Sequence, residues 1–483
     1  MTAKYSIEAN RNMHSFVMVK LVFLLLFFMA NTTIYAQRPA IIGFGWDYPD
    51  VAQLNERIGL MQQTPFDGIC FSLQRNIMEV FDTTVHKDTY FEYDKLKSIK
   101  WGKYSDNYII LRGYSITGGN WFNDKAWVSI TGNLRGLSKA MFIGKLKGLL
   151  FDPEYYLENP LYNPWTYSKA QYPNRSFEEV QNRVRERGKQ FIAALQKYTV
   201  DFNFLSIWIT SLIVEDKNHF PIEGTRHALL IPFIEGILLG KDKSVKIIDG
   251  DEFAYWYSNP TQFLESVDYL KKNTVELMRT TKGKQLATEI EIAQPVFYDG
   301  ILALHPSFEL GFARADKWRW LEENLKYAIA TSNSNVVWFY YERVNWWKDK
   351  VNDTLINIMQ NCKSAFIPGV ENKSNSTHKL MQPKCYNVNT GEGYYYLYNP
   401  KKPMNTAEKA FSYNWEPKTK SLTLKYEGKI PQSVSVFVNN TLSVSFSPKN
   451  LADTIKLNNF TKGRLAILAK YPNNNVASGL HEY

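Results

Sequence analysis

The sequence predicts an α/β protein: a (β/α)8 TIM barrel followed by a small C-terminal antiparallel β-sandwich. Three observations carry this. Short apolar runs alternate with longer amphipathic ones from Ile41 to about Phe366, eight of the short runs read as strands, and near the C-terminus the hydrophobic period falls to two. At 483 residues the chain suits one large domain and a smaller one. The expected boundaries are 1–36 for a signal peptide, 37–370 for the barrel and 371–483 for the sandwich.

The first segment has the layout of a secretory signal. Lys20 precedes an apolar run from Leu21 to Ala30, and the polar stretch ending "TIYAQR" offers a cleavage site after Ala36, with Met13 as a second candidate start. The run of about 10 strongly apolar residues is short of the roughly 20 that span a bilayer, so no stable membrane span is expected. The expected location is therefore periplasmic or extracellular.

The strand candidates are "AIIGFGW", "FDGICFSL", "NYIILRGYS", "KGLLFDPE", "FNFLSIWI", "SVKIIDGDE", "ATEIEIAQPVF" and "NVVWFYYE". Helical patterns lie between them. "VAQLNERIGLMQQ" follows the first strand, and "SFEEVQNRVRERGKQFIAALQKY" opens with Ser176 and Glu179 in capping-box spacing. "NPTQFLESVDYLKKNTVELMR" carries Pro260 at a helix start, and "DKWRWLEENLKYAIATS" precedes the eighth strand. Strands apolar on both faces, each followed by a helix, imply a parallel sheet covered on its outside. Eight such units imply a closed barrel. The alternative, an open doubly wound sheet, normally carries a Gly-rich phosphate turn after its first strand. Here "GFGWDYPD" has two glycines but then Trp46, Asp47 and Pro49.

The stretch 371–379, "ENKSNSTHK", reads as a linker. Beyond it "SLTLKY", "SVSVFVNN", "LSVSFSP" and "RLAILAKY" alternate apolar and polar residues between turn residues, the pattern of a sandwich. Three cysteines do not make a disulfide scaffold. Cys70 sits in an apolar run and reads as a small buried hydrophobe. A pairing of Cys362 with Cys385 is left open.

The formal net charge of +10 raises nucleic acid or an acidic substrate as a partner. The Lys and Arg residues are scattered through helical stretches without a dense tract, so a solvated surface is the simpler account and no nucleic-acid partner is expected; an acidic polymer stays open. Aromatic residues make up 15%, with 13 Trp and 30 Tyr, and several cluster with polar groups where strands end. Such rings offer apolar faces beside hydrogen-bonding edges, the mixture that sugars present in return.

Residues two apart on a strand share a face, so in "KGLLFDPEYY" Leu150, Asp152 and Glu154 share one side while Leu149 and Phe151 take the other. If the latter meet the helices, two acids rise at the C-terminal rim, where barrel sites are built. Two close carboxylates favour keeping one proton, as glycoside cleavage requires. Tyr155 follows directly. Other strands also end on polar groups: Asp47 after the first, Ser72 in the second, Asp249, Asp251 and Glu252 after the sixth, and Glu342 after the eighth. The last strand places Trp338, Tyr340 and Glu342 on one face with Trp346 just beyond, and barrel closure would bring Trp46 and Asp47 beside them. Gly118, Gly119, Asn120 and Trp121 in the third-strand loop suit substrate contact, with a structural turn as the alternative.

Residues 147–154 resemble the fourth-strand signature of family 18 chitinases, Asp-Gly-x-Asp-x-Asp-x-Glu. Gly148, Asp152 and Glu154 match, whereas Lys147 and Leu150 replace the two earlier aspartates. The resemblance implies Glu154 as the proton donor and Asp152 as the residue that orients a substrate acetamido group. A conventional pair, Glu154 with Glu342 or with an acid after the sixth strand, is equally admissible. Neither a zinc spacing among the seven His residues, nor a G-x-S-x-G elbow, nor a P-loop is present, so no metal or other cofactor is expected. The expected function is glycoside hydrolysis of an oligosaccharide or polysaccharide by carboxylate acid catalysis. The alternative is a non-catalytic carbohydrate-binding barrel of a polysaccharide-utilisation system.

Overall fold

The computed structural model describes residues 38–116, 120–211, 222–257, 260–302, 314–342, 344–348, 351–364, 386–387, 411–426, 430–438, 441–458, 460, 464–470 and 475–482. The expected signal peptide and linker, Gly118, Gly119 and Cys385 lie outside them. Among the described residues no helix is long and apolar enough to cross a membrane.

The eight predicted runs form a parallel sheet: β1 (Ala40–Gly45), β2 (Gly68–Phe71), β3 (Tyr108–Arg112), β4 (Gly148–Asp152), β5 (Asn203–Ser206), β6 (Lys246–Asp249), β7 in two pieces (Glu291–Ile292 and Val296–Phe297) and β8 (Val336–Tyr341). Neighbours in sequence are neighbours in the sheet. Closure runs through β7: its first piece pairs with β6, as Ile248 with Glu291, and its second with β8, as Tyr340 with Phe297. β8 in turn lies beside β1, with Phe44 opposite Tyr340. Pro295 cannot donate to a ladder, and the strand changes partner there.

Among the described residues the long helices, of eleven residues or more, are α1 (Val51–Met61), α2 (Asp124–Gly144), α3 (Phe177–Leu195), α4 (Leu230–Gly240), α5 (Pro260–Leu277), α6 (Arg314–Thr331) and α7 (Asp353–Ser364), and they cover the outside. The capping box at α3 is present: the Ser176 hydroxyl accepts from the Glu179 N–H at 3.2 Å, and Glu179 accepts from the Ser176 N–H at 2.6 Å. Asp50 and Gln53 make the same reciprocal pair at α1, both at 2.9 Å. Each satisfies N–H groups that the first helical turn leaves without partners.

Side chains alternate as the strand period requires. Phe151 of β4 points outward against Phe191 of α3 and Phe233 of α4, while Leu150 and Asp152 point in. Gly148 has a packing reason: a Cβ there would stand 2.1 Å from the carbonyl oxygen of Asn203 on β5. At the bottom of the barrel Asn203 donates to the Tyr108 hydroxyl at 2.7 Å and to Asn335, just before β8, at 3.1 Å, a polar layer that crosses the interior.

In the C-terminal region two antiparallel sheets form. One orders the strands Tyr386–Asn387, Asn475–Glu482, Arg464–Lys470, Ser433–Val438 and Thr441–Phe446; the other orders Phe411–Glu416, Ser421–Tyr426 and Ala452–Lys456. Trp415, Leu422 and Leu424 from the second share one buried cluster with Val434, Val436 and Ile467 from the first, as two faced sheets should.

Candidate functional site

The C-terminal ends of β4, β6 and β8 each deliver an acid to the barrel mouth. On β4, Asp152 is fully buried, and its Oδ1 accepts the Glu154 N–H at 2.9 Å, which fixes the turn beyond Pro153. The other oxygen, Oδ2, is buried without a hydrogen-bond partner. Burial and the neighbouring charge of Glu154 hold Asp152 well above the usual carboxylate range; the Glu154 N–H, the Tyr156 hydroxyl and Arg112 act against that rise. Glu154 is half-buried, and the Tyr156 hydroxyl donates to its Oε2. Its pKa is raised by burial, with Tyr156 opposing.

The acid from β6 is Glu252. Asp251 adopts a left-handed backbone with φ 43°, which breaks the strand alternation and turns the next residue inward. Gly250 makes this possible, because a Cβ there would meet the Ser206 carbonyl oxygen at 2.5 Å. Burial, then the charges of Glu154 and Asp152, push Glu252 well above the usual range. The three acids therefore share one electrostatic neighbourhood. From β8, Glu342 accepts from the Tyr340 hydroxyl, and its N–H donates to Asp299 in the helix that follows β7. Tyr340 feels both Glu342 and Glu252, and its ring stacks on Tyr255 at 4.7 Å and 16°.

Aromatic rings wall the opening. Tyr156, 47% exposed, stands edge-on to Trp46 at 6.0 Å and to Tyr114 at 6.1 Å. Tyr155 packs on Tyr114 at 5.7 Å. Asp47 is exposed on the first-strand loop, where its carbonyl oxygen accepts the Trp347 indole N–H at 2.7 Å. Asp152, Glu154, Glu342, Trp46, Tyr155 and Tyr340 thus lie around the mouth.

Five other expected contacts lie elsewhere. Trp338 is fully buried inside the barrel beneath the mouth, between Phe44 and Tyr255, with its indole N–H donating to the Gly250 carbonyl at 2.8 Å. Trp121 is buried outside the sheet against Trp127, Trp165 and Phe233, its indole donating to the Pro164 carbonyl at 3.1 Å. Trp346 is buried among Phe66, Tyr298 and Tyr341. Asp249 faces the helix layer, where it accepts from the Thr210 N–H at 2.8 Å and hydroxyl at 3.0 Å. Asp251 accepts from the Tyr257 hydroxyl at 3.1 Å, buried on the same side. These two acids, expected to touch substrate, instead brace the turn that carries Glu252. Glu252, Tyr255, Tyr156 and Asp299 complete the neighbourhood. Glu252 stood in the sequence reading among the sixth-strand acids, but period-two alternation favours Asp249 and Asp251.

Cys362 is buried, and its thiol lies 3.7 Å from the Glu322 carbonyl. Among the described residues no group of three or more His, Cys, Asp or Glu side chains is arranged to hold a metal ion.

No protein-family model matches the chain, and the likeness to the family 18 signature stays confined to eight residues. No curated protein matches either. Among solved structures, the chain is similar to a broad-specificity GH5-4 endoglucanase from an uncultured bacterium, at TM-score 0.38 and 11% identity, covering 66% of this chain and 86% of that one. It is similar to an O-GlcNAc hydrolase mutant from Thermobaculum terrenum, at TM-score 0.37 and 9% identity, covering 69% of this chain and 61% of that one. A third is β-glucuronidase 2 from Bacteroides uniformis, at TM-score 0.31 and 10% identity, covering 92% of this chain and 46% of that one. These neighbours are glycoside hydrolases, but likeness this distant carries no argument about substrate or mechanism.

Proposed function

We propose that the chain is a glycoside hydrolase acting on an oligosaccharide or polysaccharide, with Glu154 as proton donor and Glu252 as the second carboxylate. The observation that carries this reading is the shared neighbourhood of Asp152, Glu154 and Glu252 at an aromatic-walled barrel mouth. Burial raises Glu154, and burial with the neighbouring charges raises Asp152 and Glu252, which favours keeping a proton among these acids, the state a proton donor needs. Glu154 gives its proton to the glycosidic oxygen as the bond to the sugar carbon breaks. With the shared proton held on Glu154, the partner carboxylate is the anion that stabilises the positive charge developing there; water supplies the hydroxyl of the new reducing end and its remaining proton restores the acid. Asp152 holds the Glu154 backbone N–H at 2.9 Å. Trp46, Tyr155, Tyr156 and Tyr340 supply the faces and edges on which sugar rings would lie.

The test is a polysaccharide digestion screen read by mass spectrometry. Products heavier than the cleaved fragments by one water per bond support hydrolysis, unsaturated ends would mean a lyase, and binding without cleavage would mean a silent carbohydrate-binding barrel. Export belongs to the same proposal; N-terminal sequencing of the mature protein should begin at Gln37.

A further inference from the structure

The mouth contains a cation that the hydrolytic scheme does not use. Arg112 ends β3 on the interior face, opposite Asp152 in register. Its guanidinium lies 5.8 Å from the Trp46 ring, 6.0 Å from Tyr114 and 5.8 Å from Tyr156. Other arginines drawn into the protein each hold a carboxylate: Arg38 binds Asp67 at 2.7 Å, Arg185 binds Glu235 at 2.7 Å and Arg187 binds Asp124 at 2.5 Å. Among the described residues Arg112 has no such ion pair, and its Nε is buried without a hydrogen-bond partner.

A guanidinium cannot shed its charge; Asp152 opposite it supplies some attraction, but no carboxylate meets the fork, and a half-buried guanidinium with an unpaired Nε has bonding capacity that a ligand can satisfy. Its planar fork matches a carboxylate or a sulfate, and the three rings beside it offer the apolar faces on which a sugar ring would lie. We propose that Arg112 sets specificity and that the mouth takes an anionic sugar, a pyranose bearing a carboxylate or a sulfate. This rests on the reading that the mouth binds a glycan. The neighbouring acids do not forbid it, because burial and mutual repulsion reduce the charge they carry together. The formal net charge of +10 adds a long-range attraction for a polyanion.

The experiment uses full-length Glu154→Gln protein and calorimetry with paired oligosaccharides: galacturonate and galactose, glucuronate and glucose, and the 6-sulfated forms of each neutral sugar. At least one anionic probe should bind at least about tenfold tighter than its neutral counterpart, the worth of one charge-assisted contact. Whether the uronate or the sulfate binds tighter distinguishes the two sources of charge. Adding Arg112→Gln should erase the preference, and Arg112→Lys, which keeps the charge but loses the fork, should weaken it selectively. Should Arg112→Gln fail to fold, Arg112→Lys decides. Failure of every anionic probe to bind above its neutral partner overturns the inference, as does a preference that survives both substitutions. Cleavage of neutral glycans without anionic preference overturns this inference and leaves the hydrolase reading. Anionic preference without cleavage by the wild-type protein does the reverse.

Discussion

The indole N–H of Trp338 reaches across the barrel from β8 to the carbonyl oxygen of Gly250, at 2.8 Å. The bond pins the residue before the left-handed Asp251 and so fixes where Glu252 points. Trp338→Phe keeps most of the apolar volume but leaves a buried carbonyl without its donor. The expected cost is about 1–3 kcal/mol of stability. Turnover should fall by more than the melting temperature implies, with kcat reduced and KM nearly unchanged. Thermal unfolding and steady-state kinetics on the same preparation test it.

Tyr156 holds Glu154 down by donating to it, against the rise that burial causes. Tyr156→Phe should therefore raise the Glu154 pKa further. Because a proton donor works only while protonated, the basic limb of the kcat/KM profile should move to higher pH. A basic limb that stays in place would remove Glu154 as the titrating donor.

Glu252 is destabilising where it is ionised. Burial and the charges of Glu154 and Asp152 hold its folded pKa well above the ordinary value of 4.5, so the native state binds the proton more tightly than the unfolded chain does. Its stability cost is absent below pH about 4 and grows as pH rises from the unfolded value through the folded one. Glu252→Gln should thus raise the melting temperature at neutral pH, with the gain vanishing toward pH 4, while activity is lost. Melting curves from pH 4 to 8 check it.

Asp67 shows the opposite sign. Burial pushes it up, but the Arg38 hydrogen bonds and the charge of Lys363 outweigh that and hold it below the ordinary value of 3.8. Asp67 binds Arg38 before β1 and Lys363 at the end of α7, both at 2.7 Å, and accepts the Ile41 N–H at 2.8 Å. Its contribution is present above the unfolded pKa and is lost as pH falls through the folded one. Asp67→Ala should cost toward the lower end of the ~3–5 kcal/mol typical of breaking a buried pair, since the site is partly exposed. Most of the difference should vanish in acid.

The barrel strands were legible because each is an apolar run bounded by turn residues, and Asp152 and Glu154 followed from period-two counting on β4. The same counting places Arg112 inward through Tyr108 and Ile110. Glu252 was hidden for a different reason. A single left-handed residue, Asp251, shifts the register of faces by one, and nothing in "DGDE" announces which acid turns inward. Trp121 misled because an aromatic beside a polar loop residue can equally start a helix: it sits just before α2, and its carbonyl is bound by Arg183 and Arg187 of α3. Its ring belongs to the layer between sheet and helices.

The most direct test of the central claim is turnover of one cleaved glycan by wild-type, Glu154→Gln and Glu252→Gln proteins, with binding measured alongside. Each substitution should lower kcat by about 10²–10⁴-fold while the glycan still binds. Wild-type-like turnover by Glu154→Gln, or glycan binding by the wild-type protein with no bond cleaved, would contradict the account.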